Sequence, residues 1–353
     1  MKNYKWYFFW ALFLPIQWVV VQILSNYPNF VERFYSTGIY PITSSVSRFL
    51  LGWIPFSIGD LLYFFIVIVL IKSIVKIIRK RKIRIIRLIA NLSFVYFAFH
   101  LLWGLNYLRQ PIQKTFQIST VNYTTEELNI FTNNLIDTIN NVHFSITKND
   151  TLKVTIPLSK KEIYSKVKNG YDILKVDNPI VSIKNASIKH SIISLPLSYM
   201  GFAGYLNPFT GEAQVNSLNP LISYPATSCH EVAHQLGFAA ENEANFIGFL
   251  AAINNDDIYF QYSGYYLALR YALNDLYRHD KILYKTTFEK LNKGIVKNMQ
   301  ESYTHWNQFK NPLEPLFKSV FNQYLKANKQ PEGIKTYNFM VGLLINYEKK
   351  HIL

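Results

Sequence analysis

The residues with the clearest capacity for chemistry lie in the segment 227–237, which reads TSCHEVAHQLG. His230 and His234 are four positions apart, so on a helix they share one face and can bind one zinc ion. Glu231 follows the first histidine, where its carboxylate can take a proton from a water molecule beside the metal. This spacing predicts a hydrolytic zinc site in which Glu231 is the catalytic base.

The residues around these three fit a short helix. Thr227 is a suitable N-cap, and Gly237 stands where a left-handed residue can end the helix. Adjacent helix residues point about 100° apart, so Cys229, the single cysteine, is predicted to be a buried free thiol and not a ligand. The alternative is a buried amphipathic helix whose histidines only pack. The combined features, with the acidic residues that follow, favour the metal site.

The elements that must position this helix can also be predicted. Capping boxes at Thr124 with Glu127 and at Ser159 with Glu162 indicate helices over 125–141 and 160–172. Strand-like patterns occur at 151–157, 180–195 and 212–217, and turn formers are dense at 201–211. The later helical segments are 228–237, 241–254, 258–278, 283–298, 313–327 and 332–348. This pattern predicts one α+β domain.

Three apolar segments in the first 107 residues predict membrane spans, at 6–24, 61–78 and 88–107. Each can cross a hydrocarbon core of about 30 Å at 1.5 Å per residue. The third segment ends in Trp103 and Tyr107, which suit an aromatic belt at the membrane interface. Residues 49–59 are expected to be interfacial or re-entrant. No small-residue cleavage pattern follows the first segment, so an uncleaved anchor is favoured over a signal peptide.

The basic residues indicate the orientation. The formal net charge is +15, and residues 1–106 hold 12 Lys or Arg against two acidic residues. Many of these cations lie in the run 79–87 between two apolar segments, which is typical of a cytoplasmic loop beside anionic lipid. No basic face with interleaved aromatics appears elsewhere, which argues against a nucleic-acid partner. Three spans then place the chain from about residue 108 onward outside the cytoplasm.

The sequence after the histidines carries a resemblance to known enzymes. Over about residues 212–252, the HExxH helix and the following Glu241-Asn-Glu-Ala-Asn245 resemble zincin metallopeptidases with a glutamate ligand, of the CAAX-processing and ImmA/IrrE-like types. The resemblance implies that Glu241 is the third zinc ligand and that Asn245 hydrogen-bonds a ligand histidine. The gap between His234 and Glu241 is shorter than in most of that class, so Glu243 stays an alternative ligand.

Over nearly its whole length the chain also resembles a bacterial family of three-span membrane proteins of unknown function with a zincin-like domain. We therefore expect residues 1–107 to form a membrane region and residues 108–353 a mostly helical, extracytoplasmic zincin-like domain with a small mixed β-sheet. The zincin resemblance further suggests that the strand near Ala213–Ser217 is the sheet edge that pairs with an extended substrate.

The expected function is that of a zinc metallopeptidase in the bacterial cytoplasmic membrane, with Zn²⁺ as cofactor and a peptide or protein as substrate, surrounded by membrane lipid. Two alternatives stay open: a non-catalytic receptor or scaffold stabilised by zinc, and a zinc amidase that acts on cell-wall material. Glu231 argues against the first, because a structural zinc site needs no base and usually closes with four protein ligands. The sequence favours neither peptides nor wall amides.

Overall fold

A computed structural model describes residues 2–79 and 82–351. The helices of the N-terminal part are α1 (Lys2–Leu24), α2 (Pro28–Phe30), a π-helix (Val31–Ile39), α3 (Tyr40–Leu51), α4 (Ile58–Arg79) and α5 (Lys82–Leu102). The strands are β1 (Ile188–His190), β2 (Gly204–Leu206) and β3 (Ala213–Val215). Short 3-10 helices lie at Gly104–Leu108, Pro179–Val181, Leu221–Ser223 and Gly333–Asn338.

The remaining helices belong to the C-terminal part. They are α6 (Ile112–Thr115), α7 (Thr125–Thr147), α8 (Lys160–Leu174), α9 (Ser194–Met200), α10 (Tyr224–Gln235), α11 (Glu241–Ile253), α12 (Ile258–His279), α13 (Lys281–Phe288), α14 (Lys293–Asn307), α15 (Glu314–Ala327) and α16 (Phe339–Glu348). Helices α10 and α11 are almost entirely buried, and the main hydrophobic core forms around them. The predicted class, α+β with N-terminal transmembrane helices, is confirmed.

Three of these helices are long and apolar enough to cross a membrane, over Lys5–Leu24, Ile58–Val75 and Ile85–Leu102. Helices α1 and α5 pack on each other, and Gln17 Nε2 donates a hydrogen bond to Ser93 Oγ (2.8 Å) across their buried contact. That bond gives Gln17 Nε2 a partner within the apolar contact between the two helices. The basic run predicted to be a cytoplasmic loop includes Lys80 and Arg81, which lie outside the described residues.

The predicted third span, 88–107, is wrong at its end. Helix α5 stops at Leu102, and Trp103 and Tyr107 do not form an interface belt but are buried in a hydrophobic cluster with Tyr40 and Leu206. A ring packed in a protein core excludes more apolar surface from water than the same ring left at a lipid interface. Residues 49–51 form the last turn of α3, and residues 52–57 lead into α4.

The sheet corrects the predicted substrate edge. Its strand order is β1-β3-β2, with β1 parallel and β2 antiparallel to β3. The strand near Ala213–Ser217 is therefore central, because both of its edges are already paired. The edge next to the candidate site belongs to β2.

Other predicted strands and helix limits are also wrong. Residues 151–157 are extended without a partner strand, because the Asn298 amide bonds both Val154 N (3.0 Å) and Val154 O (3.0 Å) in place of a neighbouring strand. The predicted strand range 180–195 contains only one strand, β1. The predicted helices 283–298 and 332–348 are each divided into two helices. The capping boxes of α7 and α8 are confirmed.

The start of α4 is tied to the sheet by two buried carboxylates. Glu212 accepts a hydrogen bond from Gly59 N (2.6 Å) and forms an ion pair with Lys189. Asp60 accepts one from Ile192 N (2.7 Å), just beyond β1. A carboxylate suits this position because the first N–H groups of a helix lack partners within the helix. These bonds cross the domain boundary predicted at residue 107, so the spans and the sheet form one packed unit.

Candidate metal centre

The site is built on α10, α11 and the turn between them. Helix α10 begins at Tyr224, earlier than predicted, because Pro225 fits the first turn; Thr227 is therefore inside the helix and not its N-cap. Gly237 has a φ of +85°, and the bonds Gly237 N to His234 O (2.9 Å) and Phe238 N to Ala233 O (3.2 Å) form a Schellman motif. The predicted glycine turn is confirmed, and it returns the chain to the histidines.

Glu241, the first residue of α11, faces both histidines. Its Oε2 lies 3.4 Å from His230 Nε2 and 3.5 Å from His234 Nε2. Ligand atoms around a tetrahedral zinc ion, with bonds of 2.0–2.1 Å, are separated by about 3.3–3.4 Å. The three side chains therefore have the chemistry and the spacing to hold zinc. Burial alone would raise the pKa of Glu241, but the two histidines hold it well below its usual range.

Glu231 lies beside this group with an unsatisfied oxygen. It is buried, and its Oε2 has no hydrogen-bond partner among the described residues. Ligating atoms of His230, Glu231 and His234 all lie within 4.8 Å of one another. Either glutamate could thus face a cation. Among the two, Glu241 is the one that lies within 4 Å of both histidine Nε2 atoms. Glu231 is therefore available as a base. Burial raises the pKa of Glu231 to about 7, although both histidines act to lower it.

Strand β2 passes directly over the Glu231 carboxylate. A Cβ atom added at Gly204 would lie 2.5 Å from Glu231 Oε1 and 2.8 Å from Gln214 O. Any side chain there would displace the carboxylate or the central strand. The absence of a side chain at Gly204 is therefore what lets the sheet edge border the site.

The two other predicted site residues point elsewhere. Glu243 Oε1 accepts a hydrogen bond from Ile112 N (2.8 Å), so this carboxylate serves the start of α6 and does not face the histidines. Asn245 Nδ2 donates to Tyr271 OH (3.4 Å) instead of to a ligand histidine. The partner of His234 Nδ1 is the backbone oxygen of Phe238, at 2.7 Å. His230 Nδ1 is buried without a partner among the described residues.

Residues of the N-terminal part complete the site, which the sequence analysis did not anticipate. Tyr40 OH donates to Gln235 O (3.0 Å), Trp103 Nε1 donates to His234 O (3.3 Å) and Arg109 Nη1 donates to Gly237 O (3.0 Å). They bond the carbonyls of the last two residues of α10 and of Gly237 in the turn that follows, at the end of a helix where carbonyls lack regular helical partners. No local sequence signal reveals these contacts, because they join residues more than 120 positions apart.

Two cavities meet at the site. One, of about 440 Å³, is largely apolar, and its lining includes Tyr63, Phe99, Trp103, Phe209 and Tyr324. The other, of about 460 Å³, is more polar, and its lining includes Asn219, Asn245, Arg270, Tyr271 and Lys310. Both are lined by Gly204, His230 and Glu231, so a molecule that reached from one to the other would cross these side chains.

Comparison with known proteins provides a family but no activity. No curated protein and no solved structure matches the chain. A family model described as "Protein of unknown function (DUF3810)" matches residues 35–345, a range that includes α3 to α15, most of α16 and every residue of the candidate site. The chain belongs to this family of proteins of unknown function, DUF3810.

Proposed function

We propose that this chain is a membrane-anchored zinc metallopeptidase of the zincin type, with His230, His234 and Glu241 as zinc ligands and Glu231 as general base. One observation carries the proposal. Two histidine Nε2 atoms converge on a single glutamate oxygen at 3.4 and 3.5 Å, beside a buried carboxylate with an unpaired oxygen. A buried polar atom without a partner is rare in folded proteins and calls for an explanation, which a bound ion and its water would provide.

When bound, zinc acts as a Lewis acid that makes water nucleophilic near neutral pH and polarises the substrate carbonyl. Glu231 takes a proton from the attacking water at Oε2 and delivers it to the leaving amine. Burial raises the pKa of Glu231 and so strengthens it as a proton acceptor, whereas a zinc ion beside it would act in the opposite direction. Glu241 and the Phe238 carbonyl hold the His234 ring between them.

The free edge of β2 supports an extended peptide as substrate. Ala203 O accepts from Asn216 N (2.9 Å) and Asn207 N donates to Glu212 O (2.9 Å), so residues 203, 205 and 207 face the central strand. In an antiparallel ladder the intervening residues direct their N–H and C=O groups outward. Gly204 and Leu206 thus offer backbone hydrogen bonds beside Glu231, where an added strand would bind.

A purely structural zinc site fits this arrangement less well. Structural zinc is usually held by four protein ligands in a closed site. Here three side chains converge, and cavities border them on two sides. The arrangement leaves room for a water molecule and a substrate, which favours the enzyme over the scaffold.

The decisive experiment replaces Glu231 by Gln. This change keeps the shape but removes the base, so we expect zinc to stay bound while hydrolysis falls by about 10²–10⁴, the usual contribution of general acid–base catalysis. Activity would be screened on a peptide library and on cell-wall fragments, and zinc measured by plasma emission spectrometry. The matched control is Glu243→Gln, which keeps an acceptor for Ile112 N and should leave zinc and activity near wild type. Unchanged hydrolysis by Glu231→Gln on a verified substrate would refute the proposal.

A further inference from the structure

The apolar cavity extends to the level of the membrane spans. Tyr63 of α4 and Phe99 of α5 line it, and both residues lie inside the candidate spans Ile58–Val75 and Ile85–Leu102. Tyr63 is five residues from the start of α4, which places it about 7–8 Å along the helix axis. The lining of the same cavity also includes the site residues His230 and Glu231. The cavity therefore connects the metal site with the depth at which the helices enter lipid.

Helix α15 covers this cavity and exposes an apolar stripe. Its Phe321 and Tyr324 line the cavity, and the Tyr324 ring lies 6.4 Å from the ring of Phe99. Leu316 and Val320, four residues apart, share the outward face, and they are 58% and 61% exposed. Lys329 Nζ, just after α15, donates to Gln22 Oε1 of α1 (2.9 Å). The end of α15 thus rests beside the ends of the spans.

Helix α9 extends the same surface. Ile192, Ile193 and Leu195 are exposed large apolar residues at its start, and Asn311 Nδ2 donates to Tyr199 O (2.7 Å) to link α9 with the segment before α15. An exposed apolar surface of this kind marks an interaction site. This surface lies beside the ends of the spans, where Lys329 contacts Gln22, and amphipathic helices lie in the plane of a membrane interface, so the lipid bilayer is the occupant that fits it.

The second cavity has a different character. Arg270 and Lys310 bring exposed positive charge to it, and Asn219, Asn245 and Tyr271 add hydrogen-bonding groups. Its lining also contains apolar side chains such as Leu267 and Phe309, so it can take both the polar backbone and the side chains of a polypeptide. Glu231 thus stands between a largely apolar cavity that reaches the spans and a mixed cavity that carries the charged groups.

We propose that the substrate is anchored in the membrane: its apolar chain enters from the bilayer beneath α15 into the cavity, and its polar part lies in the cleft beside Arg270. This rests on the proposed function. The scissile amide then lies at Glu231, at the junction of the two parts. Hydrolysis consumes one water, whose oxygen bonds to the carbonyl carbon as the C–N bond breaks, and Glu231 passes a proton to the departing amine. The apolar chain comes from an acyl group or from apolar side chains.

The first experiment tests the membrane contact of α15. Cys229 is the only cysteine and is fully buried, so a nitroxide label on Leu316→Cys or Val320→Cys reacts at one site. In nanodiscs of phosphatidylcholine and phosphatidylglycerol, we expect these labels to collide more with oxygen than with a water-soluble nickel chelate. Ile282→Cys on α13 is the control, because Ile282 is 78% exposed and α13 packs on α7 and α12. The proposal would be overturned if the labels on α15 were as accessible to the nickel chelate as the label at position 282.

The second experiment tests the cavity in the Glu231→Gln protein, which binds without cleaving. The probes are a short fluorescein-labelled peptide, the same peptide with an N-palmitoyl chain, and the same peptide fused to a leucine-rich apolar helix. Ile193 lines the cavity, whereas Ile282 on α13 is an exposed isoleucine outside both the cavity and the lipid-facing surface. A charge in an apolar pocket is costly, so Ile193→Asp should weaken binding of anchored probes about tenfold or more, and Ile282→Asp should not.

The outcomes separate the two proposals. Preference for the palmitoyl probe identifies an acyl chain, and preference for the fused helix identifies apolar side chains; either supports the inference. Equal binding of all three probes, or no difference between the Ile193→Asp and Ile282→Asp proteins, overturns it. Neither experiment requires catalysis, so loss of the proposed function would appear separately, as unchanged hydrolysis by Glu231→Gln.

Discussion

At the scale of single residues, His234 is the best-oriented of the proposed zinc ligands. Its Nδ1 lies 2.7 Å from Phe238 O, so it can donate to that carbonyl and leave Nε2 free toward Glu241. Such a backbone partner fixes the ring and the tautomer of a metal-binding histidine. Burial lowers the pKa of His234, but the Glu241 carboxylate outweighs this and raises it to about 9, so a zinc ion would have to replace a proton on Nε2. The same Schellman turn positions two proposed ligands, because it provides the Phe238 carbonyl and brings back Glu241.

The third ligand can be tested with two matched substitutions. Glu241→Gln should weaken zinc binding by more than about 100-fold, beyond the loss expected for a residue that only supports a ligand. Glu243→Gln should bind zinc as wild type does, because its side chain serves Ile112 N. A competition titration with a chromogenic chelator measures both, and His230→Ala combined with His234→Ala sets the level of a destroyed site. The reverse order of the two glutamine variants would move the ligand to Glu243.

At the scale of elements, the C-terminal end of α10 is fixed by the N-terminal part of the chain. Arg109 donates to Gly237 O, lies 4.5 Å from the centre of the Phe238 ring and pairs with Glu32 of the π-helix at 2.7 Å. A cation at a helix C-terminus is favourable, and the guanidinium is almost fully buried. A π-helix is rare and often occurs near functional sites. Here it brings Glu32 to Arg109, which bonds the turn that follows α10.

Removal of this arginine should destabilise the protein. Arg109→Met leaves Glu32 and the Gly237 carbonyl without their partner, and breaking a buried pair costs about 3–5 kcal/mol, the lower value being expected because Glu32 is partly exposed. The control is Lys153→Met, which breaks the exposed pair with Glu301 at a cost of about 1 kcal/mol or less. Thermal unfolding in detergent gives both Tm values. Equal Tm values for the two variants would show that Arg109 does not stabilise the turn.

At the scale of the whole molecule, the spans and the site have a fixed relation. At the end of α1, Leu24 packs against the hydrophobic cluster that contains Tyr40. At the start of α4, Gly59 N donates to Glu212, next to β3, and just after α5, Trp103 donates to His234 O. One end of each span therefore lies on the side of the site. Arg79, the last residue of α4, and Lys82, the first residue of α5, mark the opposite ends of those two helices. The basic run 79–87 predicts that this end is cytoplasmic, which would place the site outside.

Reporter fusions test that orientation. An alkaline phosphatase fused after residue 120 should be active, and one inserted at residues 80–81 should be silent, because the enzyme folds only outside the cytoplasm. A fluorescent protein that folds only in the cytoplasm provides the inverse control at both positions. Activity at 80–81 with silence after 120 would place the site in the cytoplasm.

The sequence by itself determined those features that depend on near neighbours along the chain. Apolar length predicted the spans, capping boxes predicted the starts of α7 and α8, and the i, i+4 spacing placed His230 and His234 on one face. The glycine turn after α10 was predictable for the same reason, since a left-handed residue is a local requirement of the backbone. Helix geometry repeats every 3.6 residues, so these relations need no knowledge of the fold.

Only the tertiary structure decided the rest. The fold pairs Asn245 with Tyr271 and Glu243 with Ile112 through hydrogen bonds, and it makes β3 the central strand. It also places Tyr40, Trp103 and Arg109 at the end of α10. It also placed one cavity of the site against the spans. Each of these contacts joins residues distant in sequence. Their positions follow from how whole helices and strands pack to bury apolar surface and satisfy buried polar groups, which no local pattern of residues encodes.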